Sequence, residues 1–288
     1  VSTDDALKSI FADIAKESTN VSASAKLTKN AVMSDTLSGY FNLPANAASS
    51  SIEVYTSAAS YDSNGTLTWG PEKKYDDAQV TISEDKKIIS VTNFDYTANC
   101  VTEKAKEGTD FGKKLVIYIP IEKDATKAQF GGYLPTNDDA TLDDTNGDSG
   151  FKAEGAHKDC TVVAPTLNGK KEEITAGSSY STTDLFTDSQ WPNGSNNAGV
   201  EMVYTIRDSN GAKVATKTVP AGKNNTEIEW VFVDDKQNSN TYPTPGTYTF
   251  KLDCTVYFTN PEETTKHTAA STTVTVTITV IPTTATVT

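Results

Sequence analysis

The chain has 288 residues and a formal net charge of −13, and Arg207 is its one arginine. A surface that binds nucleic acid needs clustered lysine and arginine, so this composition argues against a nucleic-acid partner and against an anionic membrane surface. No apolar run reaches the roughly 18–20 residues that span a bilayer, so membrane insertion is not expected in this segment. The length is sufficient for two domains.

The first predicted element is a helix over residues 1–20. Leu7, Ile10, Phe11 and Ile14 fall at helical spacing and form one apolar stripe. Two aspartates in the first turn suit the positive end of the helix dipole. Because position 1 is a valine rather than an initiator methionine, we expect the chain to be a mature or excised part of a longer protein.

From residue 21 to residue 165 the sequence is typical of strands and turns. Its apolar segments are rich in β-branched and aromatic residues, and turn residues separate them: SIEVYT (51–56), AQVTI (78–82), KIISVTNF (87–94) and KKLVIYIPI (113–121). Asn-Gly pairs favour turns because both residues tolerate positive φ. Five such pairs begin at Asn64, Asn146, Asn168, Asn193 and Asn210. These features predict a β-sandwich over 21–165.

The rest of the chain, 166–288, predicts a second β-sandwich. The segment 200–219 is typical of a hairpin with its loop at Asp208–Gly211, and strand-like alternation follows in TEIEWVFV (226–233), GTYTFKLDCTVYF (246–258) and TTVTVTITVIP (272–282). Tyr248, Phe250, Leu252 and Cys254 share one face of the middle strand and are the expected core face. The predicted fold is therefore mostly β, with two tandem Ig-like β-sandwich domains and one N-terminal helix.

The three cysteines are far apart and odd in number, so they form neither a CxxC metal site nor a dense disulfide framework. One bridge can form, and Cys100–Cys160 is the candidate pair. The alternative is three isolated thiols.

An acidic segment raises the question of a metal site. Asp144, Asn146 and Asp148 stand two residues apart, like the first half of a calcium loop. The glycine expected at the sixth position is Ser149, and the glutamate expected at the twelfth is Gly155. The alternatives are a weak calcium site and a solvated acidic connection, and no other cofactor is expected.

Catalytic motifs are sparse. His157 and His267 lie in polar segments far apart in sequence, and neither a GxSxG elbow nor a phosphate-cradling glycine loop occurs. The sequence therefore predicts a non-enzymatic role. Trp69 and Trp191 each lie beside a turn signal, which makes them candidates for a glycan-binding platform, although a tryptophan in a loop can equally pack on its own domain.

Five short motifs, taken in order, resemble the module that follows the von Willebrand factor A domain in sortase-assembled pilus tip adhesins and related Gram-positive surface proteins. They are SDTLSGYFNL (34–43), ISVTNFDYTANC (89–100), GKKLVIYIPI (112–121), FGGYLPTNDDATL (130–142) and CTVVAPTL (160–167). The resemblance covers roughly residues 1–167. It implies that the first helix is similar to the last helix of an A domain, whose metal-site signature DxSxS is absent from this chain. PGTYTFKLDCTV (245–256) is similar to bacterial Ig-like repeats.

The resemblance also implies an intramolecular Lys–Asn isopeptide bond promoted by a buried acid. Asn137 lies nearest to the family's asparagine. In some relatives the lysine comes from before the inserted A domain, and Lys26 or Lys29 could replace it only with a different strand order. We therefore expect no bond in this chain and a free Asn137 amide.

Together these features predict a stalk segment of a bacterial cell-surface or pilus-associated protein, located outside the cell on the wall or a pilus. Expected partners are other surface subunits or a host extracellular ligand. The alternative is an extracellular carbohydrate-binding module, assisted by calcium.

Overall fold

The computed structural model describes residues 27, 29–101, 112–143, 151–152, 156–187, 190–234, 240–259 and 265–283. The helix predicted over 1–20 lies outside these residues, as do Lys26 and the calcium candidates Asp144, Asn146 and Asp148. The described chain is mostly β, as the sequence predicts. Its helical segments are short 3-10 turns, and none of them is long or apolar enough to cross a membrane: Ser49–Ser51, Thr182–Leu185 and Asn225–Glu227.

The strands are numbered in chain order. Those of the first half are β1 (Val32–Leu37), β2 (Phe41–Asn42), β3 (Glu53–Tyr61), β4 (Leu67–Trp69), β5 (Lys73–Lys74), β6 (Gln79–Ile82), β7 (Ile88–Thr92), β8 (Lys113–Tyr118), β9 (Glu122–Lys123), β10 (Gly132–Pro135) and β11 (Asn137–Asp143). Those that follow are β12 (Phe151–Lys152), β13 (His157–Cys160), β14 (Glu172–Thr175), β15 (Ser179–Tyr180), β16 (Glu201–Asp208), β17 (Lys213–Val219), β18 (Val231–Phe232), β19 (Asn240–Thr241), β20 (Gly246–Thr259) and β21 (Lys266–Ile281).

The chain forms two compact units, and the first contains the described residues up to Asp124 together with those of Pro135–Lys158. Its five-stranded antiparallel sheet has the order β12-β11-β1-β7-β6. A second antiparallel sheet centres on β3, which pairs with β4, β5 and β8, and β2 pairs with β9. The core lies between the two main sheets, as in a β-sandwich, because both contribute buried side chains, including Met33, Val54, Val91, Ile117 and Leu142.

The second unit contains Ala125–Leu134 and the described residues from Asp159 onward. Its six-stranded sheet has the order β14-β21-β20-β16-β17-β18, in which β14 runs parallel to β21 and every other pair is antiparallel. The long β20–β21 hairpin shows strict alternation, so one face is apolar and the other rich in threonine. Phe250, Leu252 and Cys254 are buried and Tyr248 packs against the same cluster, which confirms the predicted core face.

Local predictions in this unit have mixed outcomes. The hairpin over 200–219 is confirmed as β16 and β17, and the Asp208 carboxylate closes its loop by accepting the N–H groups of Asn210 and Ala212, each at 2.9 Å. The strand predicted over 226–233 is wrong in its first half. The Asn224 side chain donates to Glu227 there, and a 3-10 turn replaces the strand, so only β18 remains.

The sequence predicts domains over 21–165 and 166–288, and this division stays a prediction. The two compact units follow a different division of the chain. Residues 125–134 belong to the second unit although the residues on both sides of them belong to the first. Strands β10 and β13 pair with each other. The chain passes from one unit to the other within each of these strands, after Leu134 in β10 and after Lys158 in β13.

Candidate functional site

Asp35 carries a carboxyl group on the core face of β1. It is 6% exposed and lies opposite Ala140 of β11 and Ile89 of β7, both of which are buried. Burial, and to a lesser extent the charge of Asp139, raises the pKa of the Asp35 carboxyl to about 7. The group therefore holds its proton over much of the acidic range and can then donate a hydrogen bond.

Asn137 is a buried amide on the neighbouring strand. Its carbonyl oxygen accepts the backbone N–H of Ala156 at 3.0 Å and the hydroxyl of Thr136 at 3.2 Å. Its amide nitrogen is buried and has no hydrogen-bond partner among the described residues. Two donors therefore polarise the carbonyl, while the NH₂ group has lost its water without compensation.

A β-bulge determines which face of β11 Asn137 occupies. Thr36 lies opposite Asp139 but Leu37 lies opposite Asn137, so one residue of β11 is skipped. Asn137 and Asp35 consequently face the same core, as diagonal neighbours across the β1–β11 pair.

Lys87 lies at the same end of β1. Its backbone carbonyl accepts the N–H of Leu37, and its ammonium group donates to the carbonyls of Phe41 (2.6 Å) and Ser38 (3.3 Å) and to Oδ1 of Asn42 (2.8 Å). This partly buried cation is bound by oxygen atoms that carry no formal charge. It ties the start of β7 to the turn that follows β1.

Asp35 and Asn137 supply two parts of an amide-forming site, whereas Lys87 is bound as a cation by other oxygen atoms. A carboxyl group that donates a hydrogen bond can polarise an amide carbonyl, and a neutral amine is the nucleophile that such a carbonyl requires. Of the two lysines predicted for that role, Lys29 is exposed and Lys26 lies outside the described residues. The acid and the amide are thus both buried on adjacent strands, whereas Lys29 is exposed and does not belong to their core.

Sequence reasoning missed both Asp35 and Lys87. For Asp35 a signal was available, because strand alternation places it between the inward residues Met33 and Leu37. For Lys87 no such signal exists, since its three acceptors lie more than forty positions earlier in the chain. They belong to Ser38, in the turn after β1, and to Phe41 and Asn42 of β2.

The two candidate platform tryptophans have different surroundings. Trp191 is half-buried, packs against the core of the second unit and meets the ring of Tyr204 edge-on at 5.1 Å. Trp69 lies in β4 and is half-buried, with the ammonium group of Lys114 at 5.1 Å from its ring centre. Both rings therefore already have neighbours within their own units.

None of the three cysteines takes part in a disulfide in this structure: Cys100 is exposed, Cys160 is half-buried and Cys254 is buried. The predicted Cys100–Cys160 bridge is not formed here. Burial raises the pKa of the Cys254 thiol to about 12, which keeps it protonated and unreactive at neutral pH.

His157 lies in β13 and His267 in β21. Among the residues that the structure describes, no group of three or more histidine, cysteine, aspartate or glutamate side chains could hold a metal ion. The calcium prediction rests on residues outside that part of the chain and stays a prediction.

No protein-family model matches the chain, and no curated protein sequence matches it. Similar solved structures include CfaE, the adhesive subunit of the CFA/I fimbria of enterotoxigenic Escherichia coli, at 12% identity over 90% of each chain and a TM-score of 0.28. The pilus adhesin RrgA from Streptococcus pneumoniae is 9% identical over 88% of this chain and 32% of its own, with a TM-score of 0.26. The human mucin-like protocadherin EC1-2 is 13% identical over 80% of this chain and 99% of its own, with a TM-score of 0.26. Scores this low establish no shared function, and no functional conclusion rests on them.

Proposed function

We propose that this chain is a non-enzymatic segment of a bacterial cell-surface or pilus-associated protein, in which it supports or displays an adhesive tip. The observation that carries the proposal is that Asp35 and Asn137 are both buried and lie on adjacent strands of one sheet. These residues belong to two separate motifs of the resemblance, SDTLSGYFNL and FGGYLPTNDDATL, and the fold places them on adjacent strands with both side chains in the core.

Burying an acid and an amide in one core costs folding free energy, since each group loses its water. A functional role for the two groups would account for that cost. In a protein under load, a covalent amide between strands prevents them from separating. The expected partners are therefore other surface subunits or an extracellular ligand, and the expected location is the outside of the cell, on the wall or a pilus.

Brief trypsin treatment of intact source cells tests the location. Peptides of this chain should be released while the cells remain unbroken, and a cytoplasmic elongation factor serves as the control that must stay inside. Peptides that appear only after lysis would overturn the proposal.

The state of Asn137 is tested by intact mass. If a lysine amine displaces the Asn137 NH₂ group, one molecule of ammonia leaves and the mass falls by about 17 Da. Because the exposed Lys29 is a poor nucleophile, we expect the sequence mass, or a mass lower by about 2 Da if Cys100 and Cys160 are oxidised to a disulfide. A deficit of about 17 Da that peptide mapping assigns to Asn137 with Lys26, Lys29 or Lys87 would show that this chain contains its own nucleophile.

The weak calcium site at Asp144, Asn146 and Asp148 remains part of this proposal. A calorimetric titration should give an affinity weaker than micromolar, and sub-micromolar binding would contradict it.

A further inference from the structure

A cleft of about 440 Å³ opens on the first unit where β1 and β6 begin and β7 ends. Its volume lies within the roughly 300–1,000 Å³ that small-molecule sites typically have. The lining side chains are one cation, three carboxamides, one hydroxyl and one aliphatic group: Lys29, Asn30, Gln79, Thr92, Asn93 and Val32.

Sheet register places part of this lining in one row. Gln79 pairs with Thr92 across β6 and β7, and Val32 lies one position before Met33, the partner of Val91. Since Met33 and Val91 point into the core, their neighbours Val32 and Thr92 point to the opposite face. The floor of the cleft is therefore the outer face of the sheet.

Asn93 is held rigidly at the rim. Its φ of 70° is unusual for a residue other than glycine, and strain of this kind is often found at binding sites. Its side-chain amide nitrogen donates to the backbone carbonyl of Asp77 at 2.6 Å. Its backbone carbonyl accepts the hydroxyl of Tyr75, also at 2.6 Å. Tyr75 in turn packs edge-on against Phe94 at 5.7 Å. Oδ1 of Asn93 accepts no hydrogen bond from a described residue and is therefore a positioned acceptor.

Three other polar side chains of the cleft also have unused hydrogen-bonding capacity. The side chains of Lys29, Gln79 and Thr92 make no hydrogen bond with any residue that the structure describes. Together they offer a charged donor, an amide with both donor and acceptor atoms, and a hydroxyl. None of the described lining residues is a carboxylate, so among them the charge of Lys29 has no acidic partner.

We propose that this cleft binds a carboxylated monosaccharide unit, such as a uronic acid. Mixed donors and acceptors match the hydroxyl groups of a sugar, and the single cation matches a single carboxylate. A phosphate group fits poorly, because its roughly double negative charge would meet a single cation among the described lining residues. A peptide would require an apolar subsite, and Val32 is the one aliphatic residue among the described lining residues. The net charge of −13 also disfavours a densely sulfated polymer.

The binding proposal does not depend on the proposed stalk role. The cleft lies on the outer face of the sheet, whereas Asp35 and Asn137 are buried in the core. The cleft also differs from the tryptophan platforms, because neither Trp69 nor Trp191 belongs to its lining.

NMR titration of the whole chain with glucuronate, with glucose as the neutral counterpart, tests the proposal. We expect backbone shifts centred on Lys29, Gln79, Thr92 and Asn93, with a dissociation constant in the millimolar range, about 1–10 mM. Lys29→Gln should weaken glucuronate binding roughly threefold to tenfold while leaving the weak binding of glucose unchanged, because only the charge contact is lost. Lys73→Gln, at an exposed lysine of β5 in the same unit, is the matched control and should bind like the wild type.

Absence of shifts in the cleft at about 50 mM glucuronate would overturn the proposal, since millimolar sites are then nearly saturated. Equal binding of glucuronate by the wild type and by Lys29→Gln would also overturn it. So would saturation of the cleft by inorganic phosphate or N-acetylalanine at affinities equal to that of glucuronate, because the site would then select an anion rather than a sugar. The spectrum of each variant reports whether it is folded, so loss of binding and loss of structure are distinguished.

Discussion

At the scale of single residues, the main consequence of the fold is the titration of Asp35. In the unfolded chain its carboxyl has an ordinary pKa of 3.8, whereas burial beside Asp139 raises the folded pKa to about 7. The folded state therefore binds this proton more tightly than the unfolded state. The stability of the first unit is unaffected by this group below the unfolded pKa, falls as the pH rises from 3.8 to about 7, and then levels off.

The loss over that whole range is on the order of 4 kcal/mol, and between about pH 5 and pH 8 it is roughly 2–3 kcal/mol. Asp35→Asn should remove this dependence, because an amide does not titrate. Urea unfolding followed by NMR signals of Val91 and Leu142 measures the change. Asp138→Asn, at an exposed position of β11, is the control and should retain the wild-type pH dependence. An identical pH dependence in Asp35→Asn would contradict the assignment of the raised pKa to this residue.

Two further single-residue changes separate packing from ligand binding. Trp191→Ala should lower the free energy of unfolding of the second unit by about 2–4 kcal/mol, because the ring packs on Tyr204 and the core. Trp69→Ala should cost the first unit about 1 kcal/mol or less, since its side chain is only half-buried. Thermal and urea unfolding measure both values. Retention on a glycan array that is lost in either variant, with stability unchanged, would restore the platform interpretation.

At the scale of elements, Lys87 ties β7 to the turn after β1. Lys87→Met keeps the length of the side chain but leaves the carbonyl of Phe41 and the amide of Asn42 without their charged donor. The expected loss of stability is about 1–3 kcal/mol. Lys86→Met is a matched control, because the Lys86 ammonium group makes one exposed hydrogen bond, to the carbonyl of Ala45. Equal effects in urea unfolding of the two variants would contradict the role of Lys87.

A second prediction concerns the start of β10, where two backbone segments of the second unit approach closely. An added Cβ at Gly132, whose φ is 101°, would collide with the backbone of Gly199. Gly132→Ala should therefore destabilise the second unit by about 2 kcal/mol or more, from both strain and collision. Gly39→Ala has open space and should change stability by less than about 0.5 kcal/mol. A thermal midpoint that is unchanged in Gly132→Ala would show that the two segments can separate without cost.

The elements also show how far sequence reasoning reaches. Period-2 patterns predicted β20, β21 and the β16–β17 hairpin, because alternation and Asp-Ser-Asn-Gly turn chemistry are local properties. The pairing of β1 with β11 and its bulge at Leu37 depend on residues about one hundred positions apart, which no local pattern encodes. That register places Asp35 and Asn137 on adjacent strands with both side chains in one core. The two residues could therefore be named as candidates separately, but not joined into one site.

At the scale of the whole molecule, the second unit depends on an early piece of chain. Phe130 is 1% exposed and belongs to the core of the second unit, although the residues on either side of 125–134 belong to the first. A fragment of residues 166–288, the second domain as predicted from sequence, should therefore melt below the second unit of the intact chain or fail to fold. Calorimetry of the fragment and of the full chain measures the difference. Equal melting temperatures would show that residues 125–134 add nothing, and Phe130→Ala in the full chain checks the same contact without truncation.

The early position of Phe130 also matters while the protein is being made. Residues leave a ribosome or a secretion pore in order, so this aromatic side chain emerges long before β16, β20 and β21, which complete its surroundings. Meanwhile β11, which follows it, is already available to pair with β1. The first unit can thus fold while the Phe130 side chain is still exposed to solvent. During that time Phe130 can bind a chaperone or take part in aggregation. The core of the second unit therefore stays incomplete until the final hairpin has emerged.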